Sequence, residues 1–273
     1  MIIGLVGPAR SGKDTAGAIL ARELGGTCIA FADPMKRFCR EALGLTVDQL
    51  WGDKKEKPIS KTQLKSIEKV FSKMRAPQVA GDSTPWMNRF ERATSLQFDG
   101  RTKCHYEREM MVWWKGLKAE KNLTPRRVLQ TFGTEFGRKH LGDGFWVNVG
   151  LHTADHILSG KFVYTPHGGS TANEGGSIQT KNAVIFTDCR FRNEVLALKK
   201  AGAKVYRVKR MVQVKRTDTI TIDTKHSSES EQGGIPDFWL DGSFFNPDGG
   251  RQRYEANVKH FALKLKAGTG YVL

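Results

Sequence analysis

The stretch "GPARSGKDT", Gly7 to Thr15, has the makings of an anion grip. Gly7 and Gly12 let the chain bend so that successive backbone N–H groups point inward. Lys13 adds a mobile point charge suited to the β- and γ-phosphates of a nucleotide. The spacing is G-x-x-x-x-G-K. Asp14 stands where Ser or Thr is usual, so a hydroxyl for phosphate or Mg²⁺ comes from Thr15, or the metal is held through water. Arg10, Ser11, Gly12, Lys13, Asp14 and Thr15 are the candidate ATP contacts.

Two further stretches carry chemistry. In "FTDCRFRNE", Asp188 ends an apolar run, and a carboxylate there can orient Mg²⁺ or its water; it can equally cap the helix that follows. Thr15 and Asp188 are the metal candidates. Arg190 can bridge two phosphates or lie on the surface. Glu194 can pair with an arginine or serve as a first-turn acid favoured by the helix dipole. In "TPRRVLQTFGTEFGR", Arg126, Arg127 and Gln130 fall in the first turns of one helix. Arg126 and Gln130 are four apart and share a face. A guanidinium can take a phosphate bidentately and an amide can read a base edge; the plainer reading is a capped helix with a solvated basic start. Gly133 and Thr134 let a ligand approach that helix closely. Trp146 either stacks on a base or packs in the core.

These residues need a scaffold, and the pattern supplies one. "MIIGLV" reads as a buried strand and "TAGAILARELG" as a helix, so the glycine loop lies between strand and helix. "CIAF" (28–31) is a short strand. "ADPMKRFCREALG" is a helix with Pro34 near its start and Gly44 after its end. Residues 46–122 are less regular, basic and partly helical, with "APQVAGDSTPWMN" as loop and "HYEREMMVWWKGLKAEKN" as helix. "TPRRVLQTFGTEFGRKHLG" is a helix capped by Thr124, and "FWVNVGLHTADHILSG" is another. Residues 164–182 are a loop or loose hairpin. "AVIFT", "EVLALKK" and "AKVYRV" form a βαβ unit, which with the first argues for a parallel sheet. "RVKRMVQVKR" (207–216) is a basic strand end, or a mobile lid with Arg210 over phosphates. "YEANVKHFALKLK" is a terminal helix.

Bulk properties narrow the class. The chain has 273 residues and a formal net charge of +16. No apolar run approaches the ~20 residues of a membrane span, and "MIIGLVG" is too short for a signal peptide. Cys28, Cys39, Cys104 and Cys189 are scattered and read as reduced thiols of a cytosolic protein. The basic surplus fits either nucleic acid or a cleft for several small phosphates. Without a zinc-finger, RNP or heptad-linked basic pattern, the small-phosphate reading is preferred.

"FADPMKRF", "PRRVLQTFGTEFGR…DGFWV", "FTDCRFRNEVLALKKAGAKVYRV" and "HSSESE" follow the loop in that order. Together they resemble bacteriophage deoxynucleoside monophosphate (dNMP) kinases, from residue 3 to about 245. The resemblance implies one α/β domain over 1–273 with a P-loop NTPase fold. Its parallel sheet is flanked by helices, and a mostly helical NMP-binding or lid insertion occupies about 46–122. It implies transfer of the ATP γ-phosphoryl group to dNMPs, with Mg²⁺, for DNA precursor synthesis. Lys13, Arg126, Asp188 and Arg190 would then be catalytic. The dNMP would meet Asp33, Lys36, Arg126, Arg127, Gln130, Gly133, Thr134, Trp146, Arg190 and Glu194; Asp33 can instead cap its helix. His226 and Glu229 fall in the pattern without an assigned role. The implied location is the cytoplasm, the host's if phage-encoded. No membrane or nucleic-acid partner is expected, and a homodimer is left open. The rival readings are a kinase of another small phosphorylated metabolite, such as dephospho-coenzyme A, and a basic ATP-dependent nucleic-acid-binding protein.

Overall fold

A computed structural model describes residues 1–72, 85–165, 169–172, 181–213, 220–222 and 234–268. The chain divides into two compact units, one of Met1–Phe31, Gly150–Tyr164 and Thr171–Leu273, the other of Ala32–Val149 and Thr165–Ser170.

The first unit is built on a sheet. Strands β1 (Ile2–Val6), β2 (Thr27–Ile29), β5 (Val184–Cys189), β6 (Lys204–Gln213) and β8 (Gly242–Pro247) are parallel, in the order β2-β5-β1-β6 with β8 beside β6. The expected parallel sheet is present, and the short β7 (Ile220–Ile222) pairs antiparallel with the end of β6. β1 lies in the middle, and Ile3, Gly4, Leu5 and Val6 are fully covered, as a strand with both faces packed requires. Helix α1 (Lys13–Leu24) ends at Gly25, whose φ of 65° is left-handed and suits glycine. It packs against α10 (Arg251–Lys266), and Ile19, Leu20, Tyr254, Val258 and Phe261 join β-strand residues in one core. Helix α9 (Arg192–Lys200) covers β6.

β1 and β6 adjoin, and their outgoing connections run to opposite ends of the sheet. That is a switch point, where open α/β sheets leave a crevice at the strands' carboxyl ends. Val6 pairs with Arg207, so β6 runs on past β1. The stretch Arg207–Gln213 is therefore regular strand, as the basic-strand-end reading has it, and not a mobile lid; residues 214–216, His226 and Glu229 lie outside the described residues.

The second unit is helical: α2 (Asp33–Leu43), α3 (Val47–Leu50), α4 (Lys61–Ser72), α5 (Pro85–Thr94), α6 (Gly100–Leu117) and α7 (Pro125–Thr131), then a π-helix over Phe132–Leu141 and the start of α8 (Phe145–Leu158). It is larger than the 46–122 segment. Phe38 of α2, Val128 of α7, and Phe132 and Phe136 of the π-helix sit in the same core as Phe71, Phe90, Trp113 and Trp114. Pro85 to Asn88, expected as loop, begin α5, because Trp86 and Met87 are drawn into that core. The single helix expected from Thr124 onward is capped by Thr124, which accepts from Arg127 N at 3.2 Å, but changes to π spacing after Thr131. Strands β3 (Phe162–Thr165) and β4 (Gly169–Ala172) form a separate two-stranded sheet.

Candidate active site

The glycine loop occupies the carboxyl end of β1. Gly7 has φ 154°, and a Cβ there would meet the Val208 carbonyl at 2.3 Å. Only glycine lets the loop lie that close to β6. Gly12 has φ 103° and opens α1. Lys13 folds its ammonium onto the Gly7 and Pro8 carbonyls, both at 2.5 Å. Gly17 removes a side chain that would meet Thr187 at 2.6 Å, so α1 lies against the end of β5 next to Asp188.

A pocket of about 420 Å³ opens on this loop. Arg10, Gly12, Lys13, Asp14 and Thr15 form one wall. Arg210 of β6 and the β8–α10 turn, with Asn246, Asp248 and Arg251, form the other. Five of the six ATP candidates, all but Ser11, are cationic or lie at the helix start, where backbone N–H groups and the dipole favour an anion. Ser11 does not line the pocket. Its hydroxyl is fully buried and finds no hydrogen-bond partner among the described residues. A buried hydroxyl without a partner inside a phosphate-type loop fits a site completed by a ligand. Arg210 lies 3.5 Å from Asp248.

Asp188 ends β5, and its Oδ1 accepts from the Phe31 N–H at 2.9 Å. It therefore ties β5 to β2's exit and does not cap α9. The first turn of α9 is held instead by Glu194, which is buried and whose Oε2 accepts from the N–H groups of Arg190, at 2.6 Å, and Phe191, at 2.9 Å. That is half of a capping box, and it occupies the carboxylate with backbone. Arg190 is exposed. For Mg²⁺ the donor set is suitable: one hydroxyl (Thr15) and one carboxylate (Asp188) suffice when nucleotide phosphates and water fill the other positions.

In the helical unit the acceptor candidates fall into two groups. Asp33 and Lys36 are 3.9 Å apart on the first turn of α2. The indole N–H of Trp51 donates to Asp33 Oδ1 at 3.2 Å, and Lys36 lies over the Trp51 ring at 5.4 Å. Gly133 approaches the same turn: a Cβ would meet Met35 Sδ at 3.1 Å. Arg126 and Arg127 lie in the first turn of α7. Arg126 makes a close ion pair with Glu56. Arg127 takes Glu120 in a two-pronged grip at 2.7–2.9 Å, which holds the Glu120 carboxyl below its usual range. Gln130 is exposed, and Thr134 donates to the Gln130 carbonyl at 2.7 Å. Trp146 packs edge-on to Phe145 and near Phe132, and donates to the Gly133 carbonyl at 3.2 Å. It is half-buried at the margin of the aromatic core.

Sequence reasoning missed Trp51, Asn246, Asp248, Arg251 and Tyr254. "GSFFNPDGG" (242–250) did hold a signal: a short apolar run stopped by an Asn-Pro-Asp-Gly turn reads as a strand ending at a crevice.

The family model described as "Deoxynucleotide monophosphate kinase" matches residues 1–232. A protein of Acanthamoeba polyphaga mimivirus named "Putative deoxynucleotide monophosphate kinase" is 25% identical over 238 residues, covering 87% of this chain and 85% of the relative. The match spans the glycine loop, the helical unit and the Asp188 strand together, and decides against the two rival readings. This chain belongs to the deoxynucleotide monophosphate kinase family, and is a phosphotransferase acting on deoxynucleotide monophosphates.

Proposed function

We propose that the pocket on the glycine loop takes ATP as phosphoryl donor and that the chain passes the γ-phosphoryl group to dNMPs, giving dNDPs for DNA precursor synthesis. The observation that carries this is the pocket's lining. Lys13, Arg10, Arg210 and Arg251 surround the start of α1, where the charge of a polyphosphate would be met by backbone N–H groups and guanidinium forks. Phosphoryl transfer needs little covalent help from the protein. It needs donor and acceptor held in line and the spreading negative charge neutralised.

In this reading Arg10 to Thr15 bind the ATP phosphates, with Lys13 on the β- and γ-phosphates. Thr15 and Asp188 hold Mg²⁺, directly or through water; Mg²⁺ would neutralise and orient the phosphates. Arg190, exposed beyond the end of β5, stabilises the transferring group. Arg126, Arg127 and Lys36 receive the dNMP phosphate, while Gln130, Gly133 and Thr134 meet the nucleoside. Asp33 and Trp51 position Lys36, whose ammonium they hold between a carboxylate and a ring face. Glu194 holds the start of α9, beside Arg190, and Trp146 holds the Gly133 carbonyl. No helix among the described residues is long and apolar enough to cross a membrane, and Cys28, Cys39, Cys104 and Cys189 are thiols. Both observations support work in the cytoplasm.

The test is a panel: purified chain with ATP and Mg²⁺, each dNMP in turn, and dephospho-coenzyme A as control. ADP and dNDP should form in equal amounts with at least one dNMP and not with the control. ADP formation indifferent to every dNMP would reject the reading.

A further inference from the structure

Two side chains from the far end of the chain, both lining the pocket, hold the carbonyl side of the glycine loop. Asn246 Nδ2, at the end of β8, donates to the Ser11 carbonyl at 2.9 Å. The Tyr254 hydroxyl, in the first turn of α10, donates to the Gly12 carbonyl at 3.0 Å. That carbonyl also accepts from Ala16 N at 2.9 Å, the first bond of α1. The fit is close on both sides: a Cβ on Gly12 would lie 2.7 Å from Asn246 Nδ2 and 3.1 Å from Tyr254 Cε1. Gly12 is therefore required by its φ of 103° and by the space these two side chains take. Tyr254 is almost fully buried, and burial pushes its hydroxyl pKa up, so it remains a donor at any working pH.

The consequence follows from peptide geometry. A trans peptide points its C=O and N–H in opposite directions. Holding the Ser11 and Gly12 carbonyls toward β8 and α10 aims the N–H groups of Gly12 and Lys13 away from them, out of the start of α1. Those are the donors an anion at this helix start would use. A free glycine peptide samples many orientations, and a donor fixed beforehand needs no reorganisation when charge arrives.

We infer that Asn246 and Tyr254 are positioning residues for the phosphate loop, fixing its amide donors by pinning the carbonyls on the opposite side. The inference rests on the proposal that this loop binds the ATP phosphates. It goes further in giving Asn246 and Tyr254, two residues of the pocket lining, the task of holding the loop itself.

The experiment is titration calorimetry of the full chain with ATP, inorganic tripolyphosphate and adenosine, run on wild type, Tyr254→Phe and Asn246→Asp. Tyr254→Phe keeps the ring and removes one hydrogen bond. It should weaken ATP and tripolyphosphate about fivefold each and leave adenosine unchanged. Asn246→Asp sets a carboxylate against the Ser11 carbonyl and should weaken both phosphates by more than about tenfold, again sparing adenosine. In turnover, KM for ATP should rise in both variants with KM for the dNMP unchanged. Equal weakening of ATP and adenosine would mean lost packing and overturn the inference. So would tripolyphosphate binding equally to all three proteins. Wild type that binds neither ATP nor tripolyphosphate would sink the ATP proposal itself and this inference with it.

Discussion

The Lys13 ammonium is hydrogen-bonded to the Gly7 carbonyl at 2.5 Å, with the Pro8 carbonyl at the same distance. The loop thus holds its own cation over the place where a polyphosphate would lie. On ATP binding the ammonium would exchange two neutral acceptors for charged ones, the stronger bond. Lys13→Ala should lower kcat by about 10²–10³, the loss found when one preorganised donor to a transition state is removed. Stability should change by no more than about 1.5 kcal/mol, the value of an ordinary hydrogen bond. Lys13→Arg should not restore the rate, because a planar fork does not replace a compact ammonium. Steady-state rates beside urea unfolding decide it: a near-normal kcat removes Lys13 from the mechanism.

The acceptor assignment has its own check in the Arg126–Glu56 pair. Both side chains are at least half exposed, so the pair contributes little to folding, at most about 1 kcal/mol. Arg126→Ala should leave the unfolding midpoint nearly in place and raise KM for the dNMP about tenfold, with KM for ATP little changed. Glu56→Gln frees the guanidinium and should leave KM for the dNMP equal or lower. A rise in KM for ATP alone would show that the two phosphates have been assigned to the wrong ends.

How far the sequence carried the argument depends on the kind of pattern. The glycine loop was legible because its constraints are local: a strand's apolar run, two glycines, a lysine, a helix. Asp188 was legible as a strand-end carboxylate, but its bond to the Phe31 N–H, 157 positions away, was not. Residues 46–122 looked irregular because their helices bury aromatics into one shared cluster and do not each show a clean stripe. Phe71, for instance, stacks on Trp114 at 4.7 Å from a different helix. The Asn246 and Tyr254 grip joins residues more than 230 positions apart, and no spacing rule connects them.

The change from α to π spacing after Thr131 was hidden for another reason. Periodicity places Val128, Leu129, Phe132 and Phe136 on one face in either geometry. Trp146 packs along the π segment: its indole N–H reaches the Gly133 carbonyl and its ring fills the space beside Gly137. A Cβ on Gly137 would lie 2.3 Å from Trp146 Nε1 and 2.9 Å from Cε2. Alanine gains about 1 kcal/mol over glycine in a helix, but overpacking costs about 1–3 kcal/mol. At 2.3 Å from a rigid indole the cost should win, so Gly137→Ala should destabilise by up to about 2 kcal/mol. Gly116, exposed in α6 with nothing within 4 Å of its would-be Cβ, has only the gain. Gly116→Ala should stabilise by up to about 1 kcal/mol. Urea unfolding of the two variants should move in opposite directions; equal shifts would mean the indole yields.

The last prediction concerns acid. His152 and His156 lie one turn apart on α8, ring centroids 4.0 Å from each other. Burial, then the charges of His152 and Lys161, push the His156 pKa below its ordinary value, against the weaker pull of Asp155. In the unfolded chain the group should titrate near ~6.5. Between that value and the lower folded one, the unfolded chain binds more protons. Stability therefore rises with pH across the window. It is complete above about pH 6.5 and is lost as pH falls through the folded value. His156→Gln removes this titration, and also relieves His152 of a charged neighbour. The fall in melting temperature from about pH 8 to about pH 5.5 should be smaller in the variant than in wild type. An identical fall would show that His156 is as readily protonated in the folded chain as in the unfolded one, and that the two rings at 4.0 Å do not oppose each other's charge.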